Sequence, residues 1–119
     1  MKPKTLIRFL AVCAVAAICG AEALGPFESN TDVGITPKKG AVEFDGNSEF
    51  KVVGGGANIW GATDAFQYVW KKVSGDIALT ADVRFVGAGA VAHRKAALMI
   101  RQSLDPGAAY ADVALTATD

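Results

Sequence analysis

The sequence predicts an all-β, antiparallel two-sheet sandwich, and three observations carry that expectation. Apolar residues recur at every second position through "DAFQYVWKKVSGDIALTADVRF", with Phe66, Tyr68 and Trp70 in one run and Ile77, Leu79, Ala81, Val83 and Phe85 in the next. A helix would scatter the second set around its circumference, whereas a strand gathers it on one face. Short turn signals bound each run, and nothing after the first 23 residues carries a helical period.

The elements follow in order. Residues 1–23 read as a signal peptide. Lys2, Lys4 and Arg8 precede the uncharged run "FLAVCAVAAICG", which ends at "AEA", the three-part pattern of an export signal. The apolar core is shorter than the roughly 20 residues that a spanning helix needs. Cleavage is expected after Ala23. An uncleaved anchor is the rival reading; a lipoprotein signal fits poorly, because Cys13 follows Val12 and Cys19 follows Ile18. Residues 24–40, rich in Gly, Pro, Asn and Asp, read as an irregular leader. Residues 41–119 read as the N-terminal part of the sandwich.

Within that part, Ala41–Phe44 and Glu49–Val53 flank "DGNS", a turn whose residues tolerate positive φ, so a hairpin is expected. Gly54-Gly55-Gly56 ends it. Ala65–Lys72 and Ile77–Val86 are the next strands, joined by "VSGD". "KAALMIRQS" is ambiguous by period, and the tight Gly-rich and Asp-Pro-Gly boundaries favour a buried strand. Pro106 and Gly107 suit the middle of a type II turn, and "YADVALTA" alternates as a final strand.

Composition narrows the function classes. The chain has 12 basic and 12 acidic residues; loss of the signal removes three basic and one acidic, leaving a slightly acidic remainder. That gives no electrostatic footprint for nucleic acid, and contact with a membrane is expected only through the export signal. Cys13 and Cys19 leave with the signal, so no disulfide, thiolate nucleophile or zinc–thiolate site remains. The location implied is periplasmic or secreted.

The alternating aromatic residues admit two readings. One is a dry sheet face, with Gln67, Lys71, Thr80, Asp82 and Arg84 on the wet side and with partners needed for the Tyr68 O–H and Trp70 N–H. The other is a sugar platform, for which Trp60 is the better candidate: it sits in a loop beside Gly61, near Asn58 and Asp64. An indole stacks on a pyranose while amides and carboxylates bind its hydroxyls. The ligand-binding candidates are Trp60 and Asp64, with Arg101, Gln102, Asp105 and Tyr110 around the next turn. No catalytic residue and no cofactor is assigned. Calcium could be held by carboxylates such as Asp32, Asp64, Asp105 and Asp112, although no spacing identifies a site. Lone His93 reads as a solvated loop residue. Glu43 and Asp45 share a strand face, as do the carboxylates of some glycoside hydrolases, but the solvated-face reading fits them better.

Two blocks, "WKKVSGD" and "LMIRQSLDP", set within residues 27–115, resemble a bacterial family of concanavalin A-like (lectin/glucanase, laminin-G-type) jelly-roll domains. That family is related to the regulation of enolase domain and occurs alone or ahead of TolB-like propellers. The resemblance implies a two-sheet jelly roll and, by analogy, carbohydrate binding. Such domains continue for several strands beyond the equivalent of Leu115, so the chain is expected to be an N-terminal fragment. Three functions follow as expectations: an exported module binding carbohydrate or another cell-envelope ligand, a protein-interaction module accessory to a propeller, and, more remotely, a glycan-active hydrolase.

Overall fold

The computed structural model describes residues 23–89 and 91–117; the expected signal peptide, with Cys13 and Cys19, lies outside them but for its last residue. The described residues form an all-β structure without helix. Six strands lie in order along the chain: β1 (Ser29–Val33), β2 (Ala41–Phe44), β3 (Phe50–Val53), β4 (Phe66–Trp70), β5 (Lys95–Arg101) and β6 (Tyr110–Thr116). They make three antiparallel pairs, β1–β4, β2–β3 and β5–β6.

The β2–β3 hairpin forms where the sequence places it. The Asp45 Oδ1 atom accepts the backbone N–H groups of Asn47, Ser48 and Glu49 at 2.8–2.9 Å. Gly46, at φ +82°, supplies the left-handed residue that the reversal needs. These bonds favour the ionised carboxylate, so the Asn47 and Glu49 amides hold the exposed Asp45 carboxyl below its ordinary range. On one face Phe44 stacks on Phe50 at 4.4 Å, with Phe27 edge-on to Phe50 at 5.2 Å. On the other, Lys51 pairs with Glu43 at 3.3 Å. Glu43 is thus in a solvent-exposed ion pair and Asp45 in a turn, the solvated-face arrangement.

Two expectations are corrected. The segment 24–40 is not irregular throughout: Ser29–Val33 is a strand, pairing with β4 from Ser29↔Trp70 to Val33↔Phe66. Its Thr31 and Val33 have β-branched side chains that suit a pleated surface. Val33, only 1% exposed, lies on the aromatic face of β4. On the opposite face the Gln67 amide donates to Asn30 Oδ1 at 2.7 Å, and both Asp32 oxygens accept the Gly40 N–H at 3.0–3.1 Å. The second correction is larger. Ile77–Val86, the most regular run in the sequence, is no strand at all. Among the described residues, no backbone group from Lys71 to Gly89 bonds to another backbone group, and Ile77, Leu79 and Val83 are about 40% exposed. Periodicity dictates which side chains share a face; a ladder also needs a neighbouring strand. Here β4 pairs with β1 and β5 with β6, and none of the six strands offers its other edge to this segment.

β5 confirms that "KAALMIR" is extended. The β5–β6 turn closes through Ala108 N–H to Asp105 C=O at 3.0 Å, with Pro106 and Gly107 central as expected. It is not type II, however, because Gly107 does not take the positive φ which that turn requires at its third residue. Asp105 instead accepts the Gly107 N–H on its own carboxylate at 2.7 Å.

Side chains link the β1–β4 pair to the β5–β6 pair. Tyr68 on β4 donates its O–H to the Met99 carbonyl on β5 at 3.1 Å. Burial pushes the Tyr68 phenol up from its ordinary value, opposed by the Arg101 charge. Among the described residues, the buried apolar ones are Val33, Met99 and Ala117, joined by the charged Asp64. Trp70 Nε1 has no acceptor among the described residues.

Candidate functional site

β4 and β5 bring one charged cluster together. Arg101, at the end of β5, turns its side chain toward β4. Its guanidinium lies 5.3 Å from the Phe66 ring centre and 5.5 Å from that of Tyr110, its strand partner. The Arg101 and Asp64 side chains are 1% and 2% exposed, and they meet at 3.1 Å between Nη1 and Oδ2. Nε donates to the Ser103 carbonyl at 2.7 Å and Nη2 to the Asp105 carbonyl at 2.6 Å. Nη1 also touches Met99 Sδ at 3.5 Å.

A desolvated charge is tolerated only when paired and hydrogen-bonded, and Arg101 meets that condition on three sides. Asp64 is anchored too: its N–H donates to the Pro106 carbonyl at 3.0 Å, although its Oδ1 accepts nothing among the described residues. Gly34 is required beside it, since at φ +71° any Cβ there would run into the Asp64 carbonyl. The cluster therefore ties the loop ahead of β4 to the turn ahead of β6. Chemically it is closed, since neither charged group faces solvent.

Of the six residues singled out from sequence, Asp64, Arg101, Asp105 and Tyr110 converge here. Asp64, expected to accept hydroxyls or hold calcium, is buried against Arg101. Asp105 gives its carbonyl to Arg101 and its Oδ1 to its own turn. Burial, with Asp64 and Asp112 nearby, pushes the Tyr110 phenol up. Gln102 is exposed and, with Ile100, Arg101, Ala109, Tyr110 and Ala111, lines a shallow depression of about 300 Å³.

Trp60 stands apart from the cluster. It is 77% exposed, on a loop whose base is closed by the Asn58–Ala65 bridge and the Asp64 anchor. Asn58 Oδ1 is occupied by the Ile59 N–H and by Lys95 Nζ, at 2.9 and 2.8 Å. The loop runs beside the Asp105–Ala108 turn, with the Ala62 carbonyl 3.5 Å from where a Gly107 side chain would begin. Sequence reasoning missed Phe66, Met99 and Ser103 as walls of the charged cluster. The available signal was an arginine at an inward position of an apolar strand, which demands a buried acid. His93 sits exposed in a turn at φ 59°. Among the described residues, no three His, Cys, Asp or Glu side chains gather closely enough to hold a metal ion.

No protein family, curated protein or solved structure matches the chain.

Proposed function

We propose that this protein is an exported, non-catalytic β-sandwich module that binds carbohydrate through Trp60. The observation that carries the reading is a large flat indole left 77% exposed on a loop fixed at its base. A Trp exposed on an anchored loop offers a stacking surface whose ordering cost is already met by the scaffold. Gln102, just before the neighbouring turn, and Tyr110, just after it, supply polar groups for hydroxyls. The N-terminal charge and apolar pattern supports export to the periplasm or beyond, and the resemblance to concanavalin A-like jelly rolls supports a sugar as the ligand class. A cell-envelope protein is the second ligand class, favoured by the exposed apolar residues between Ile77 and Val86.

The test is a glycan array probed with the wild-type chain and with Trp60→Ala. Binding by the wild type and its loss in the variant supports the reading. Equal binding by both, or none by either, removes it.

A further inference from the structure

The segment from Asp76 to Val86 combines three features on one stretch of chain. Its backbone N–H and C=O groups are unpaired among the described residues. Its odd-numbered side chains form an apolar row, of which Ile77, Leu79 and Val83 are 41%, 44% and 39% exposed. Its charges are few and placed asymmetrically: Asp76 and Asp82 against Arg84. The row fronts a second apolar surface, since Ala81 and Val83 share an open cavity of about 260 Å³ with Leu98, Val113 and Leu115 of the β5–β6 hairpin.

We propose that this segment is a self-recognition strand, through which two copies of the chain pair antiparallel about a two-fold axis at Thr80. The charges select the register. Directly opposed residues in an antiparallel pair share a face, so only registers that match odd with odd keep the row apolar. Centring on Leu79 sets Asp76 opposite Asp82, and centring on Asp82 sets it opposite its own copy; like charges so placed repel. Centring on Ala81 leaves Arg84 opposite Ala78, and centring on Val83 pairs Asp82 with Arg84 but sets Leu79 and Ile77 opposite Gly87 and Gly89. Centring on Thr80 sets Asp76 opposite Arg84 twice, Ile77 opposite Val83 and Leu79 opposite Ala81. Both carboxylate–guanidinium pairs then lie on the wet face and the whole row on the other. Arg84 now reaches Glu49 at 2.8 Å, with both side chains mostly exposed, so that pair exchanges readily. The contact is isologous, so it closes at two copies.

The experiment is sedimentation velocity on the full chain over a range of concentrations, for the wild type, Arg84→Glu and Asp76→Arg, each alone and in a mixture of the two variants. All substituted groups are exposed, so folding is preserved. The wild type is expected to dimerise. Each variant alone sets like charges opposite one another at both pairs and should weaken self-association roughly tenfold or more. In the equimolar mixture the mixed dimer keeps one Asp76–Arg84 pair and gains one pair of reversed polarity between the two substituted positions, and should recover the dimer. A wild type that stays monomeric overturns the proposal, as does a dimer indifferent to Arg84→Glu or a mixture that fails to recover. Each of those outcomes assigns the apolar row to another occupant.

Discussion

Phe66–Trp70 and Ile77–Phe85 follow the same rule of composition and meet opposite fates. The first run is shorter and carries polar groups on its large side chains, yet it is a half-buried strand, covered by β5 and paired with β1. The second is longer and more purely apolar, yet it lies unpaired and exposed. The difference is what each run has to bond to. Tyr68 reaches the Met99 carbonyl, and Phe66 packs under the Arg101 guanidinium. Among the described residues, the polar anchors of the second run lie at its far end, where Arg84 meets Glu49 and Phe85 lies 4.8 Å from the Arg94 guanidinium. Hydrophobic alternation gives a segment its sidedness; polar anchors and a neighbouring ladder decide whether it becomes part of a sheet.

The strongest way to break this comparison is to remove the anchor beneath β4. Arg101→Ala strands the Asp64 carboxylate in a dry site and should cost about 3–5 kcal/mol, read as a fall in the urea midpoint. The Arg101→Met, Asp64→Leu pair should recover much of that loss, since it leaves no lone charge behind. A value under 1 kcal/mol for Arg101→Ala would mean that the pair is open to water.

Two apolar truncations sharpen the contrast. Phe66→Ala should destabilise by about 2 kcal/mol, less than a fully buried Phe because the ring is half-covered. Leu79→Ala, measured where the chain is monomeric, should stay within about 0.5 kcal/mol. Equal effects would place both runs in the same environment and erase the distinction drawn here.

Tyr68→Phe tests the link between the two pairs. Loss of its bond to the Met99 carbonyl should cost about 1 kcal/mol. The folded state raises the Tyr68 pKa above 10.0. The stability linked to it is therefore complete below pH 10 and lost as pH rises through the folded value. Alkaline unfolding should shift in Tyr68→Phe relative to wild type.

The smallest effect concerns Asp45. Its pKa is lowered from 3.8 in the folded chain, so its contribution is present above that pH and fades as pH falls through the folded value. Asp45→Asn should lower stability slightly near neutrality, where the carboxylate contributes, and flatten the profile below pH 4, as followed by circular dichroism.

The hairpin turn was legible because its determinants are local: Asp45, Gly46 and the amides they serve lie within five residues. Extended structure in β4, β5 and β6 was legible for the same reason. β1 was not, since "SNTDV" is polar and gains its strand character from β4, far along the chain. The charged cluster was half legible. Asp64, Arg101, Asp105 and Tyr110 could be picked out by type and position beside turns. The burial of the Asp64–Arg101 pair could not, because it depends on segments 37 positions apart.

The long reach of the β1–β4 pairing sets an order of events. Its partners lie 33 to 41 positions apart, those of β5–β6 only 9 to 21. Closing the larger loop costs about 1 kcal/mol more in chain entropy, so the two local hairpins zip first. β1 leaves the ribosome well before its partner is made and must wait, unfolded, for Phe66–Trp70 to arrive. Phe66 and Tyr68 then stay without their contacts to Arg101 and Met99 until β5 is made, and that interval is the one in which a nascent chain most needs a chaperone.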